Sequence, residues 1–236
     1  MLAIERQEKI MFKLKQQKQA TIEELCELTV ASLSTLRRDL NDLEAEGKLR
    51  RVHGGAELVQ ELSKEPSLFE KSSKNIQAKE KIAEKAIRKI KNGDVIYLDA
   101  GSTTGFLTEK INQSSLKITI VTNSITHLLS IRNPNSTVYI LGGQQKRTTD
   151  AVVGSQALLQ LSSYHFNVAF LGANAYDEKI GAMTPDQEEA AVKTLAIKQS
   201  QKSFLLLDSS KISQTSFVKF ASPDEVRLLT EREGNK

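Results

Sequence analysis

Five short apolar runs recur between residues 95 and 207, and each closes on small or polar residues. Val95–Leu98 leads into Asp99-Ala100-Gly101-Ser102-Thr103-Thr104, Ile118–Val121 into Thr122-Asn123-Ser124, and Val138–Leu141 into Gly142-Gly143. Val168–Leu171 leads into Gly172-Ala173-Asn174, and Phe204–Leu207 into Asp208-Ser209-Ser210-Lys211. Runs that stay apolar, rather than alternating with polar residues, mark strands buried on both faces. Such strands form parallel sheets with helices over both sides. Helical stretches separate most of the runs, so an α/β fold with a largely parallel sheet is expected. In open sheets of this kind ligands bind outside the carboxyl ends of the strands, which is where the small and polar residues gather.

The chemistry of those ends suits a phosphorylated polyol. Gly101 allows close backbone approach, and Ser102, Thr103 and Thr104 offer hydroxyls at the start of the next helix. Helix N-termini attract anions through free N–H groups and the dipole. Lys211 adds a point charge suited to phosphate, while Asp99 and Asn123 can pair with sugar hydroxyls. Thr122, Ser124, Gly142 and Gly143 complete the expected ring of strand-end residues. Taken singly, Gly-Ser-Thr-Thr also reads as a tight turn with a helix cap, and Lys211 as a solvated side chain. No Gly-Lys-Ser/Thr follows Gly101 and no strand is followed by G-x-G-x-x-G, so neither nucleotide-binding motif is present.

The first sixty residues follow a different pattern. Ile4, Ile10, Met11 and Leu14 have helical spacing, and Lys15 to Gln19 reads as a polar break. Thr21 and Glu24 have capping-box spacing at the head of a second helix carrying Leu25 and Leu28. After a turn over Thr29–Leu33, Ser32 caps a third helix to about Glu46, with Leu33, Leu36, Leu40 and Leu43 on its inner face. Gly47 stands where a helix ends. Lys-Leu-Arg-Arg-Val, His53-Gly54-Gly55 and Ala-Glu-Leu-Val then read as a basic β-hairpin. Three helices and such a hairpin make a winged helix-turn-helix. Residues 1–60 hold ten Lys/Arg and ten Asp/Glu, but the charges are segregated, with Glu23, Glu24 and Glu27 early and Arg37, Arg38, Lys48, Arg50 and Arg51 late. The expected organisation is a DNA-binding domain over 1–59, a polar linker over 60–78 containing Pro66, and a second domain over 79–236.

Composition excludes several classes. The single cysteine, Cys26, rules out an internal disulfide, and with three histidines it nearly rules out a structural zinc site, so no metal is expected. No apolar run is long enough to span a membrane, and the charged N-terminal segment is unlike a secretory signal, so a cytoplasmic location without membrane contact is expected. His127 and His165 have no triad-like arrangement.

The residues at 25–40, LCELTVASLSTLRRDL, and GKLRRVHGGA at 47–56 resemble the helix-turn-helix of the DeoR family of bacterial sugar-metabolism regulators. Asp99–Thr104, Thr122–Ser124, Gly142-Gly143, Glu189-Ala190 with Val192-Lys193, and Asp208–Lys211 resemble that family's sensor motifs. Ala31 and Asn167 stand where the family usually has valine and aspartate. The chain stops soon after Leu229, where family members often continue through a further helix.

The resemblance implies a sensor similar in fold to ribose-5-phosphate isomerase, with a sugar-phosphate effector at the strand ends and Glu189 among its binding residues. It implies that Ser32, Ser34, Thr35, Arg37 and Arg38 contact double-stranded operator DNA in the major groove, with Arg50, Arg51 and His53 of the wing on phosphates or the minor groove. It also implies a homo-oligomer, a dimer or a tetramer, acting as a repressor that the effector releases. Ser216-Phe217-Val218-Lys219 and Gly172-Ala173-Asn174 are most like the fructose-operon branch, which implies fructose 1-phosphate as effector.

The rival from another class is a sugar-phosphate isomerase with a nucleic-acid-binding appendage. Aldose–ketose chemistry needs a general base, and the isomerases use an acidic cluster after a middle strand. Here that place reads Gly172-Ala173-Asn174-Ala175-Tyr176, with no carboxylate until Asp177. No catalytic residue and no cofactor are therefore assigned. A winged-helix module that binds protein instead of DNA is a third reading.

Overall fold

The structure is a computed structural model describing residues 2–59 and 61–232, with the Lys15 side chain left out. Met1 and Gln60, at the expected domain and linker starts, and residues 233–236 of the expected sensor lie outside the described residues. The chain divides into two compact units, Met1–Glu61 and Leu62–Lys236.

In the first unit α1 (Ala3–Gln17) is followed by β1 (Gln19–Thr21), α2 (Ile22–Thr29), α3 (Leu33–Ala45), β2 (Leu49–Val52) and β3 (Gly55–Leu58). Thr21 and Glu24 form the capping box at α2, and Ser32 accepts the Thr35 N–H at the head of α3. Ile10, Leu14, Leu25, Leu36, Leu40, Leu43 and Leu49 meet in one buried core. Each such side chain contributes about 1.5–3 kcal/mol by leaving water. Two expected core residues are on the outside. Leu33 is 44 % exposed and Ile4 70 % exposed, because each sits in the first turn of its helix, ahead of the packed stripe. The polar break at Lys15–Gln19 is overturned too: α1 runs to Gln17, and Gln19 opens a strand.

The wing is therefore three-stranded, in the order β1-β3-β2 and antiparallel throughout. Its two glycines do different work. Gly54 turns the hairpin with φ +81°, a conformation that side chains rarely adopt. Gly55 lets β1 come close, since a Cβ there would lie 2.3 Å from the Ala20 carbonyl oxygen.

In the second unit α4 (Leu68–Ser72) and α5 (Ile76–Ile87) precede β4 (Val95–Leu98), α6 (Ser102–Asn112), β5 (Thr119–Thr122), α7 (Ile125–Ser130) and β6 (Thr137–Ile140). A hairpin of β7 (Gln144–Lys146) and β8 (Ala151–Val153) leads to α8 (Ser155–Ser162) and β9 (Val168–Gly172). Then come β10 (Ala175–Asp177), β11 (Gly181–Thr184), α9 (Gln187–Lys198), β12 (Ser203–Leu206), a 3-10 turn at Ser209–Lys211, β13 (Val218–Ala221) and β14 (Arg227–Leu229). The six-stranded sheet has the order β14-β12-β9-β4-β5-β6, and every pairing in it is parallel.

All five apolar runs lie in this sheet; those of β4, β5, β9 and β12 are largely buried as expected, but β6 is an edge strand with Tyr139 50 % exposed. One face packs Ile96, Ile120, Phe170 and Leu206 against Ile82, Leu107 and Ile111. The other packs Tyr97, Val121, Leu171 and Leu205 against Leu161, Val192 and Ala196. From β4 the chain moves one way to β5 and β6, then returns to β9 on the opposite side. The carboxyl ends of β4 and β9 thus flank a topological switch point, where open sheets leave a crevice.

The expected linker over 60–78 is overturned from Leu62 onward. Leu62–Ala78 is built into the second unit, and α5 starts at Ile76. Its polar composition misleads because long-range bonds order it. Leu68 N–H donates to the Thr148 carbonyl at 2.8 Å, and Phe217 N–H to the Leu62 carbonyl at 3.1 Å.

Candidate nucleic-acid interface and ligand site

The exposed face of α3 is polar. Ser34, Arg37, Arg38 and Asn41 have the 3, 4 and 7 spacing of one helical stripe, and all four are exposed opposite the buried Leu36, Leu40 and Leu43. Ser32 Oγ lies 3.0 Å from Ser34 Oγ and 2.9 Å from Thr35 Oγ1, gathering three hydroxyls at the helix N-terminus. Arg51 of the wing donates its guanidinium to Asn41 Oδ1, and its N–H to Glu44 at 2.8 Å. This joins the wing to the stripe and adds Asn41, which sequence reasoning missed. Arg50 faces Glu57 across the hairpin and pairs with it. Its charge is thereby partly neutralised, unlike those of Arg37 and Arg38, which have no ion pair among the described residues.

Asp39 is on the inner side of α3 and is almost fully buried. It receives two bonds from Arg6 of α1, at 2.7 and 3.0 Å, a bidentate pairing that fixes angle as well as distance. The hydrogen bond to Asp39 raises the Arg6 pKa above its ordinary value. The pair therefore joins α3 to α1.

At the strand ends the expected residues divide into two groups. Thr104 Oγ1 donates within its own turn, to the Asp99 and Gly101 carbonyls. Thr122 Oγ1 donates to the Leu98 carbonyl at 2.6 Å, and Ser124 Oγ caps α7 through the His127 N–H. Asn123 Oδ1 accepts the Ala100 N–H at 2.8 Å. These four polar side chains hold the loops together. Gly142 N–H donates to Gln160, and Gly143 allows close packing against the Val153 carbonyl. Ser102 and Thr103 are buried at the head of α6, whose cap Gly101 provides no side-chain bond.

Asp99, Glu189 and Lys211 belong to a charged cluster. Asp99, 1 % exposed, accepts the Gly172 N–H at 3.0 Å and pairs with Lys193 of α9, whose side chain is 4 % exposed. Its other oxygen is buried without a hydrogen bond among the described residues. Burial pushes the Asp99 carboxyl up from its usual pKa, against the pull of Lys193 and the Gly172 N–H. Burial alone would lower the Lys193 pKa, but Asp99 and Glu189 carry it above the ordinary lysine value.

Glu189 accepts from Thr149 Oγ1 at 2.6 Å and from Lys146 Nζ at 3.1 Å. Burial works to raise its pKa, yet Lys193, Thr149 and Lys146 together hold it below the usual value. Lys211 donates to the Ala173 carbonyl at 3.2 Å. Burial lowers its pKa to about 8, helped by Lys71, Lys79 and Lys193 and opposed by Asp208. Lys71, Lys79, Lys193 and Lys211 therefore share one field, and Lys146 joins it through Glu189. Lys146 and Lys79 were missed because a lysine in isolation reads as solvated surface. Glu189 and Lys193, four residues apart on α9, had a readable signal in the spacing that puts them on one helix face.

His127 is structural. Its Nε2 lies 3.1 Å from both the Asp99 carbonyl and Thr104 Oγ1, and burial lowers its pKa to about 4. Asn167 Oδ1 accepts the Val95 N–H at 2.8 Å, which secures the start of β4. Among the described residues no His, Cys, Asp and Glu group is set to hold a metal ion, and no helix is long and apolar enough to cross a membrane.

A winged helix-turn-helix unit and an α/β unit with charged groups at its strand ends together define a helix-turn-helix transcription regulator with a sensor domain. Residues 6–61 match the DeoR-like helix-turn-helix domain, and residues 74–232 match the DeoR C-terminal sensor domain. The chain belongs to the DeoR family. It is 40% identical to the HTH-type transcriptional regulator FruR of Bacillus subtilis, over 98% of this chain and 91% of that protein. It is 34% identical to the regulator GlpR of Haloferax volcanii, over 97% and 89% of the two chains. It is 37% identical to the lactose phosphotransferase system repressor of Staphylococcus epidermidis, over 83% and 78%. Among solved structures, eIF2B delta from Chaetomium thermophilum superposes with a TM-score of 0.55 at 14% identity, over 97% of this chain and 73% of that one, a likeness of fold alone.

Proposed function

We propose that this regulator represses a sugar-utilisation operon by binding operator DNA through α3 and the wing, and that a sugar phosphate bound at the strand ends releases it. The observation that carries this reading is the pairing of two features in one chain. One is an exposed stripe of Ser34, Arg37, Arg38 and Asn41, with two arginines free of carboxylates among the described residues. The other is the lysine field over buried Asp99 and Glu189. Arginine can read guanine bidentately in the major groove. Lysines beside carboxylates suit a ligand carrying both phosphate and hydroxyl groups. The motifs Ser216-Phe217-Val218-Lys219 and Gly172-Ala173-Asn174 favour fructose 1-phosphate as effector.

The reading includes a cytoplasmic, oligomeric protein without catalysis. The place where the isomerases carry an acidic cluster reads Gly172-Ala173-Asn174-Ala175-Tyr176, without a carboxylate. Binding to the DNA upstream of the protein's own operon, titrated with fructose 1-phosphate, tests the proposal. Loss of binding at micromolar ligand is the expected outcome. Binding that persists would discard fructose 1-phosphate, and a chain that binds no DNA at low salt would discard the regulator mechanism. Measurable isomerisation of ribose 5-phosphate would revive the enzyme.

A further inference from the structure

The segment between the DNA-binding unit and α5 is mostly polar, yet it is tied down along its length. At its start the Leu62 carbonyl accepts from Phe217 N–H at 3.1 Å and from Ser216 Oγ at 3.0 Å. At its middle Leu68 N–H reaches the Thr148 carbonyl at 2.8 Å. At its end the buried Lys79 ammonium donates to the Lys71 and Lys74 carbonyls, and Asn75 donates to Asp208 at 2.9 Å.

The tie of greatest interest is Glu65. Its buried carboxylate bridges Lys71 of the segment itself, at 3.3 Å, and Lys146 of the β7–β8 hairpin. Lys146 also holds Glu189 at 3.1 Å and Asp186 at 3.0 Å. Three carboxylates thus compete for one ammonium, and only Glu65 belongs to the segment that follows the DNA-binding unit. Thr148, which receives the Leu68 N–H, is next to Thr149, which donates to Glu189.

We propose that residues 62–74 form a latch, closed by Glu65 on Lys146, and that an anionic effector opens it by taking the place of the Glu65 carboxylate. This rests on the sensor reading above and names how that site is coupled to DNA binding. A phosphate at Lys146 displaces a like charge, so latch and ligand exclude one another. Ligand binding and latch closure then oppose one another: whatever weakens the latch raises the binding-competent fraction and tightens ligand binding, up to the limit of a fully open latch. The bistable element is the segment that follows the DNA-binding unit in the chain, so its release changes the tether that leads to that unit.

Amide exchange over residues 62–74 of the full-length protein tests this, with fructose 1-phosphate, glucose 6-phosphate and inorganic phosphate as probes and calorimetry reporting their binding. A bound sugar phosphate is expected to speed exchange at Leu68 and its neighbours at least tenfold. Glu65→Gln is expected to do the same without ligand, and to tighten ligand binding. Leu68→Pro provides a milder variant. Proline lacks the N–H that reaches Thr148 but suits the first position of a helix, so α4 survives while one tie is lost. A ligand that binds and leaves the segment's exchange unchanged overturns the latch. If none of the probes binds, the sensor reading fails, and the latch is judged by the two variants. Unaltered exchange over 62–74 in both would refute it.

Discussion

Replacing Lys193 by methionine removes the cation beside Asp99 and keeps most of the side-chain volume. Asp99 would then be a carboxylate with 1 % of its surface in water and only the Gly172 N–H as partner. Breaking a buried pair by deleting one member costs about 3–5 kcal/mol, because the remaining charge is uncompensated. For a unit of this size 1 kcal/mol moves the melting temperature by about 2–4 °C, so a fall of roughly 6–20 °C is expected. The loss should depend on pH. Burial already holds the Asp99 carboxyl above its usual pKa, and without Lys193 it rises further. A carboxyl whose folded pKa lies above its unfolded value of about 4 destabilises the fold most at neutral pH. The deficit should therefore shrink as pH falls toward that unfolded value. Adding Asp99→Asn removes the second charge while keeping an acceptor for Gly172, and should recover more than half of the loss. Chemical or thermal unfolding of the two single variants and the double variant, at neutral and mildly acid pH, measures all of this. A Lys193→Met protein within about 1 kcal/mol of the parent, or a deficit indifferent to pH, would refute the pairing as the organising contact of the site.

Three further outcomes follow from other regions. Arg37→Ala and Arg38→Ala should each weaken operator binding by about 1–3 kcal/mol where the arginine reads a base, and flatten the salt dependence where it meets phosphate; a salt titration by fluorescence anisotropy separates the two. Burial lowers the His127 pKa from 6.5 to about 4, so its contribution is complete above pH 6.5 and about 3 kcal/mol of stability is lost as pH falls to 4; unfolding curves of a His127→Asn variant should lack that part of the acid slope. Gly55→Ala would drive a methyl group into the Ala20 carbonyl and should cost about 1–3 kcal/mol, with DNA binding reduced because β1 leaves the wing; an unchanged melting temperature would contradict the close approach.

The parallel sheet was legible because its four central strands are buried on both faces, which removes the alternation that makes other strands ambiguous. The third helix was legible because Ser32, Gly47 and the leucine spacing agree. What escaped notice depended on partners distant in sequence. Residues 62–78 have linker composition, and nothing local indicates that Glu65 is held by Lys146 eighty-one positions away. β1, β7, β8, β10, β11, β13 and β14 carry no unbroken four-residue apolar run like those that mark the parallel sheet. In the site, Thr104, Thr122, Asn123 and Ser124 attracted attention as polar residues at strand ends, but they bind backbone and hold the loops in shape. The charged groups that fill the site, Lys146 and Lys193 among them, come from a hairpin and a helix instead.

The Arg6–Asp39 pair bears on how DNA specificity could be transplanted within the family. Exchanging α3 alone would bring a new exposed stripe but leave its inner carboxylate, or the lack of one, facing an unmatched α1. A graft that omits residue 6 places the incoming helix at whatever tilt its leucines allow, and base-reading side chains are sensitive to tilt. On the proposed mode of DNA binding, the transferable unit of specificity is α3 together with α1, the helix that aims it.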